Sequence, residues 1–294
     1  MTDALVAFIK NALQEDIGKG DYTSLATIPP SQLGKATFYV KEPCIISGVE
    51  LARLICQEVD DQLVVQFEIK DGQFIESPTA IGSISGSIHS ILKAERLLLN
   101  CMQRMSAIAT KVNYFVELVK PFGVKILDTR KTTPNFRICE KWAVKIGGGV
   151  NHRFGLYDEI LIKDNHIKAA GGIKNAIESC IQYVQENNLS IPIVVEVKNM
   201  EEFKIASSYK EINRILLDNM SPSQIEQIML QNNTSKLLEA SGGINASNLM
   251  DYAKTSVDFI SIGDLTHHVN AVDISLKVIS ISYTHLTLPT KRIV

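Results

Sequence analysis

Two different rhythms of apolar and polar positions divide the chain near residue 110. At its start Leu5, Phe8, Ile9, Ala12 and Leu13 recur at helical spacing, which predicts an amphipathic helix. β-rich stretches follow at 35–40 and 63–69, then an Asp71-Gly72 turn and an extended segment over 79–87. Apolar residues then recur every three or four positions from Ile88 to Val119, the pattern of a long connecting helix. Beyond residue 124 the pattern becomes regular. Short apolar runs appear at 124–127, 160–162, 193–197, 215–217, 237–238 and 259–262, most of them separated by helical segments. Thr133-Pro134 and Ser221-Pro222 read as helix openings with proline at the first helical position. Strands alternating with helices imply a parallel sheet, and six such units imply a barrel.

The ends of these runs carry the chemistry. They finish in Asp128, Lys163, Glu196, Asp218 and Glu239, each followed by a loop. In a β/α barrel the C-terminal ends of the strands ring one mouth, which carries the active site. A polar residue also marks where any buried strand exits to solvent, so no single one of the five decides. Five ionisable strand ends together favour a site.

Composition narrows the classes. With 294 residues, 45% of them apolar, and a net charge of −2, nothing global points to nucleic acid or an acidic membrane surface. No window approaches the roughly 18 apolar residues needed to span a bilayer. The five cysteines (Cys44, Cys56, Cys101, Cys139, Cys180) are odd in number and contain no CxxC pair, which argues against a disulfide framework or a structural zinc site and for a reduced cytoplasm. Charge is uneven, however: residues 125–168 hold nine Lys/Arg against five Asp/Glu, an island suited to a small anionic ligand.

Within that island Arg130 and Lys131 follow the first barrel strand, and the segment GGGVNHRFGLYDEILIKDNH supplies His152, Arg153 and Lys163. Arginine presents a planar fork that matches a carboxylate, and lysine a compact charge that suits phosphate. The Ser241-Gly242-Gly243 and Gly263 loops follow the last two strands, where barrels often hold phosphate on backbone N–H groups at a helix N-terminus. Glu196 and Asp218 suit ribose hydroxyls or the Mg2+ of a pyrophosphate better than proton transfer. The composite ligand has a phosphate, a metal-bound hydroxyl-rich middle and a separate carboxylate-bearing partner. Phosphoribosyl pyrophosphate plus an anionic acceptor meets that description.

The motifs EDIGKGDYTS, ERLLLNCMQRMSAIAT, DTRKTTPNFRICEKWAVKIGGGVNHRFGLYDEILIKDNHI, VVEVKN, LLDNM, EASGGIN and SIGDLTHH occur in this order from about residue 10 to 278. In sequence and spacing the chain closely resembles the quinolinate phosphoribosyltransferase family, the decarboxylating enzymes that make nicotinate mononucleotide for NAD biosynthesis. The resemblance implies an α/β fold: an incomplete, TIM-like β/α barrel over 111–269, an N-terminal α+β sandwich domain over 1–110 joined by segment 270–279, and a non-native or disordered tail over 280–294. It implies a homodimer with shared active sites, in which Arg96 reaches the neighbouring subunit's mouth. Arg96, Arg130, His152, Arg153 and Lys163 would bind quinolinate. Lys131, Glu196, Asp218, Ser241, Gly242, Gly243, Gly263 and His267 would bind phosphoribosyl pyrophosphate, with Glu196 and Asp218 serving its Mg2+ directly or indirectly. Lys163, Glu196 and Asp218 would be catalytic. The pattern departs at Lys198, where an acidic residue is usual, and at Asp264 and His268, where small residues are usual. A paralogous transferase for another aromatic acid or base, and a non-catalytic barrel, are the competing readings.

Overall fold

The computed structural model describes residues 3–282. The chain divides into two units, one made of residues 1–110 together with the segment from 270 onward, the other of residues 111–269.

The first unit opens with α1 (Asp3–Ile17) and α2 (Tyr22–Thr27) and continues through β1 (Leu33–Val40), β2 (Cys44–Ile45), α3 (Val49–Val59), β3 (Val64–Phe67), β4 (Phe74–Ile75) and β5 (Thr79–Ser87). The helix α4 (Ile88–Val119) begins in this unit and ends in the second. Burial alternates along the inner half of β1, where Ala36, Phe38 and Val40 are inside, the period-two signature of a half-covered strand. Backbone N–H groups at Ile45 and Ser47 donate to Thr110 Oγ1 (2.8 Å) and Ser106 Oγ (2.9 Å), hydroxyls one turn apart on α4.

The second unit alternates strand and helix: β6 (Lys125–Leu127), α5 (Arg137–Ile146), β7 (Ile160–Ile162), α6 (Asp164–Ala169), α7 (Ile173–Glu186), β8 (Ile193–Val197), α8 (Met200–Ser208), β9 (Arg214–Asp218), α9 (Pro222–Gln231), β10 (Leu237–Ser241), α10 (Leu249–Ala253), β11 (Phe259–Ser261) and α11 (Asp264–His267). The six strands form one parallel sheet in the order β6-β11-β10-β9-β8-β7. That is sequential order around a ring, interrupted between β6 and β7, and it makes the barrel incomplete. A single parallel bridge, Leu127 to Val150, lies beside the gap. All five residues of β8 are buried, as expected of a strand covered on both faces. Leu161, Val194 and Leu216, from three neighbouring strands, pack into one apolar layer.

The chain then returns to the first unit as β12 (Ile274–Ser282), which completes an antiparallel sheet β12-β1-β5-β3. Residues 280–282, expected to belong to the tail, continue this strand: Ser282 pairs with Leu33 and Ile281 with Gly34. The rest of the expected tail, 283–294, lies outside the described residues.

Local chemistry decides two helix starts differently. Ser221 caps α9 with a reciprocal Gln224 contact, and Pro222 is the first helical residue, as its position predicts. Thr133-Pro134 instead forms a turn, and α5 starts at Arg137. Asn135 adopts φ +62°, a left-handed conformation that no α-helix accommodates. The turn is held by Glu140, whose carboxylate accepts from Thr133 N (3.0 Å) and Oγ1 (2.9 Å).

Candidate active site

The C-terminal ends of the barrel strands surround a cavity of about 710 Å3. Its basic wall is built from the segments flanking the gap in the barrel. Arg130 and Lys131 follow β6, His152 and Arg153 lie between α5 and β7, and Lys163 follows β7; all five line the cavity. Arg130 Nε is itself buried and has no hydrogen-bond partner, so it is the rest of the guanidinium that can face the cavity. Burial lowers the Arg153 pKa, and the neighbouring Arg130 guanidinium lowers it further. Two cations held this close favour a ligand with two negative charges.

Asp128 does not serve the mouth as its strand-end position suggests. Its carboxylate is fully buried, accepts from Lys141 Nζ (2.6 Å), and accepts from the backbone N–H of His152 (2.8 Å). Lys141 also donates to the His152 carbonyl (3.0 Å). The pair clamps the backbone that carries His152 and Arg153.

Ser241, Gly242, Gly243 and Gly263 also line the cavity, as does His267. Gly242 and Gly243 take φ of +101° and +63°, and a Cβ on Gly242 would strike the Asn219 side chain. Only α11 follows its glycine directly. After β10 the chain makes a turn before α10 begins at Leu249, with Asn248 Nδ2 donating to Gly243 O (3.1 Å). The first glycine loop therefore presents its backbone without a helix directly behind it. The Thr266 hydroxyl donates to Lys131 O (2.8 Å) and ties the loop after β6 to α11. Gly242→Ala is expected to raise KM for phosphoribosyl pyrophosphate about tenfold or more, because the loop must move to admit the methyl group. Steady-state kinetics with each substrate varied in turn checks this, and an unchanged value would remove the loop from the phosphate site.

Of the two acidic strand ends, Asp218 lines the cavity and its Oδ2 accepts from Asn219 Nδ2 (2.9 Å). Glu196 lies deeper. Its Oε2 is 3.1 Å from Lys163 Nζ, its Oε1 accepts from Asp164 N (3.4 Å), and it lines a smaller cavity of about 240 Å3. Lys163 is half-exposed and Glu196 buried, so the ammonium covers the carboxylate from the cavity side.

Two of the three departures, Lys198 and Asp264, are internally compensated. Lys198 Nζ lies 3.2 Å from Asp164 Oδ2, and this hydrogen bond raises the lysine pKa and lowers that of the aspartate. Asp264 Oδ2 is 2.6 Å from Lys111 Nζ, which also donates to the carbonyls of Asp264 (2.9 Å) and His268 (2.7 Å). Asp264, His267 and His268 place ligand-type atoms within 4.8 Å of one another. The Lys111 ammonium already neutralises that carboxylate, so the cluster offers a cation little charge.

Arg96 is exposed on α4 in the first unit and is not among the residues lining the cavity. Sequence reasoning also missed residues. Beneath His152 lie Glu159, Arg214 and Glu239, all linked by ion pairs; Glu239 was legible only as a strand end, and Glu159 and Arg214 stand at strand starts with no motif to mark them.

The model of the quinolinate phosphoribosyl transferase C-terminal domain matches residues 108–277, and that of the N-terminal domain matches residues 21–106. The chain is 43% identical over 289 residues to the chloroplastic nicotinate-nucleotide pyrophosphorylase [carboxylating] of Arabidopsis thaliana, covering 93% of this chain and 82% of that one. It is 38% identical over 281 residues to the Mycobacterium leprae (strain TN) protein of the same enzyme name, covering 93% and 97%. The solved structure of nicotinate-nucleotide pyrophosphorylase from Francisella tularensis superposes with a TM-score of 0.86 at 36% identity, covering 94% of this chain and 96% of that one.

Proposed function

The chain belongs to the quinolinate phosphoribosyl transferase family, and from that premise we propose how its cavity performs the reaction. The activity is transfer of the phosphoribosyl group from phosphoribosyl pyrophosphate to quinolinate with decarboxylation, giving nicotinate mononucleotide, pyrophosphate and CO2. The observation that carries the site assignment is the paired guanidiniums of Arg130 and Arg153 on one cavity wall.

Quinolinate has two carboxylates on adjacent ring carbons. Arg130 and Arg153 bind them, and His152 and Lys163 complete that wall. The ring nitrogen is thereby aligned on C1 of the ribose, from which pyrophosphate departs through a transition state with oxocarbenium character. The cations hold the carboxylates of the pyridinium intermediate, and the positive ring nitrogen stabilises the electron pair left behind when the adjacent carboxyl leaves as CO2. Its bonding electron pair stays on the ring carbon, which takes a proton. Positioning and electrostatics carry this catalysis. Ser241, Gly242, Gly243, Gly263, Lys131 and His267 hold the phosphate end, and Asp218 faces the ribose, with Glu196 set behind Lys163.

Magnesium enters with phosphoribosyl pyrophosphate. The donors fit a hard cation unequally: Asp218 stands in the cavity wall, whereas the Glu196 carboxylate is already matched by Lys163. Asp218 would therefore hold the ion, directly or through water, and Glu196 would act on it only at a distance. The bound cation would neutralise charge on the departing pyrophosphate.

The assembly is a homodimer in which the partner subunit's Arg96 completes the quinolinate site. Arg96→Ala and Lys163→Ala proteins, each inactive alone, are expected to regain about a quarter of wild-type activity per site pair after subunit exchange, the statistical yield of intact mixed sites. No recovery after exchange, with mixed dimers demonstrated by mass, would argue against sharing. The protein acts in the cytoplasm, a placement supported by five free cysteines. No helix among the described residues is long and apolar enough to cross a membrane.

Acceptor choice tests the assignment. Quinolinate is expected to exceed nicotinate by at least about 10²-fold in kcat/KM, because nicotinate leaves part of the basic wall unpaired. Equal use of the two acids would favour a transferase of different specificity.

A further inference from the structure

Behind the basic wall lies a second charged set, of which His152 and Glu239 reach the cavity and Glu159 and Arg214 do not line it. Arg214, at the start of β9, places Nη2 2.8 Å from Glu159 Oε2 and Nε 2.9 Å from Glu239 Oε2. The same two carboxylates bracket the His152 ring: Glu159 Oε1 lies 3.3 Å from Nδ1 and Glu239 Oε1 lies 3.5 Å from Nε2. All four side chains are at most 12% exposed, and Glu239 is fully buried. The backbone N–H of Arg153 reaches Nδ1 at 2.8 Å, and Arg153 Nη1 donates to the Glu159 carbonyl at 3.1 Å. The Arg153 contact is with the Glu159 backbone carbonyl, so the carboxylates of the bracket bear on the His152 ring.

We infer that Arg214 is a positioning residue for quinolinate, acting through Glu159 and Glu239 to fix the His152 ring at the cavity wall. The inference rests on the assignment of that wall to the quinolinate carboxylates. Its physical basis is that two buried carboxylates cannot face one imidazole without a counter-charge. Arg214 supplies that charge to both at once; with Nδ1 accepting the Arg153 backbone N–H, the ring proton sits on Nε2 and faces Glu239, which orients the ring. Without the guanidinium, Glu159 and Glu239 repel one another, and each must seek Arg153 or His152 as its partner. Either response turns a cavity cation inward, away from the ligand. The phosphate loops after β10 and β11 do not contact Arg214 through any of these bonds, so the defect is confined to one substrate.

The test is a double-substitution cycle on the full-length protein, with both KM values and kcat measured. Arg214→Met is expected to raise KM for quinolinate about tenfold or more while KM for phosphoribosyl pyrophosphate stays within about twofold. Arg214→Lys, which can satisfy one carboxylate, should restore part of the loss. In a His152→Ala background, Arg214→Met should add less than about threefold, because the ring it positions is gone. Equal increases in both KM values, a loss in kcat alone, or full additivity with His152→Ala would overturn the inference. If Arg214→Met does not fold, Glu159→Gln removes one arm of the bracket at constant size. It is expected to give the same selective rise, and a nonselective effect would count against the inference equally. His152→Ala with an unchanged quinolinate KM would overturn the wall assignment and the inference together. A selective effect of His152→Ala with none from Arg214→Met would overturn the inference alone.

Discussion

Lys163→Ala is expected to lower kcat/KM for quinolinate by about 10²–10³-fold with the fold intact. Two effects act in the same direction. The substitution removes a cation from the wall proposed to bind the dianion, and it uncovers Glu196, whose buried carboxylate lies 3.1 Å from that ammonium in the intact protein. An uncovered carboxylate repels the acceptor and the pyrophosphate alike. The stability cost is small by comparison, because Lys163 is half-exposed and the space it leaves fills with water. Glu196→Gln separates the two effects. It keeps Lys163 and removes the negative charge, so KM for quinolinate should hold or fall while KM for phosphoribosyl pyrophosphate rises. Kinetics on both variants with a matched thermal denaturation curve checks the pair. Equal damage to both substrates in Glu196→Gln would show that the carboxylate serves the fold rather than the ribose.

Lys141→Met is expected to destabilise the protein by about 3–5 kcal/mol, the cost of breaking a buried pair and stranding one charge. The side chains of Lys141 and Asp128 are 2% and 0% exposed. Burial raises the Asp128 pKa and lowers that of Lys141, and in each case it is the largest influence, ahead of the attraction between them. Neither charge is sustained there without the other. Activity should fall as well, because both groups hydrogen-bond to the His152 backbone. Urea unfolding, read as a midpoint shift at constant slope, measures the effect. Lys141→Met combined with Asp128→Leu should recover part of the loss, since an apolar pair leaves no stranded charge. A midpoint unchanged in Lys141→Met would mean that the ion pair contributes nothing to the fold.

The barrel and the basic wall were legible because each rests on local order. The span Ile88–Val119 is helical from end to end, as its apolar spacing predicts, and the ionisable residues at strand ends stand where the chain must leave the barrel. What was not legible depends on residues far apart in sequence. Glu159 and Arg214 are 55 positions apart and meet at 2.8 Å, yet each reads in isolation as an ordinary charge at a strand start. Asp128 failed in the opposite direction. Its position at the end of β6 is that of a mouth carboxylate, but Lys141, 13 residues later on α5, consumes it. No pattern along the chain distinguishes a carboxylate that faces a cavity from one that a lysine covers. The helix expected at Thr133-Pro134 gave way to Asn135 for a similar reason: a local proline preference lost to a turn that Glu140 locks from within α5.

The central claim, that this cavity joins quinolinate to phosphoribosyl pyrophosphate and releases its carboxyl group, is tested most directly by following CO2 and nicotinate mononucleotide together in one assay with both substrates and Mg2+. The two products should appear in equal amounts, and both should require quinolinate. Nicotinate mononucleotide without CO2, or neither product from folded protein, would contradict the assignment and direct the basic wall to a different aromatic acid.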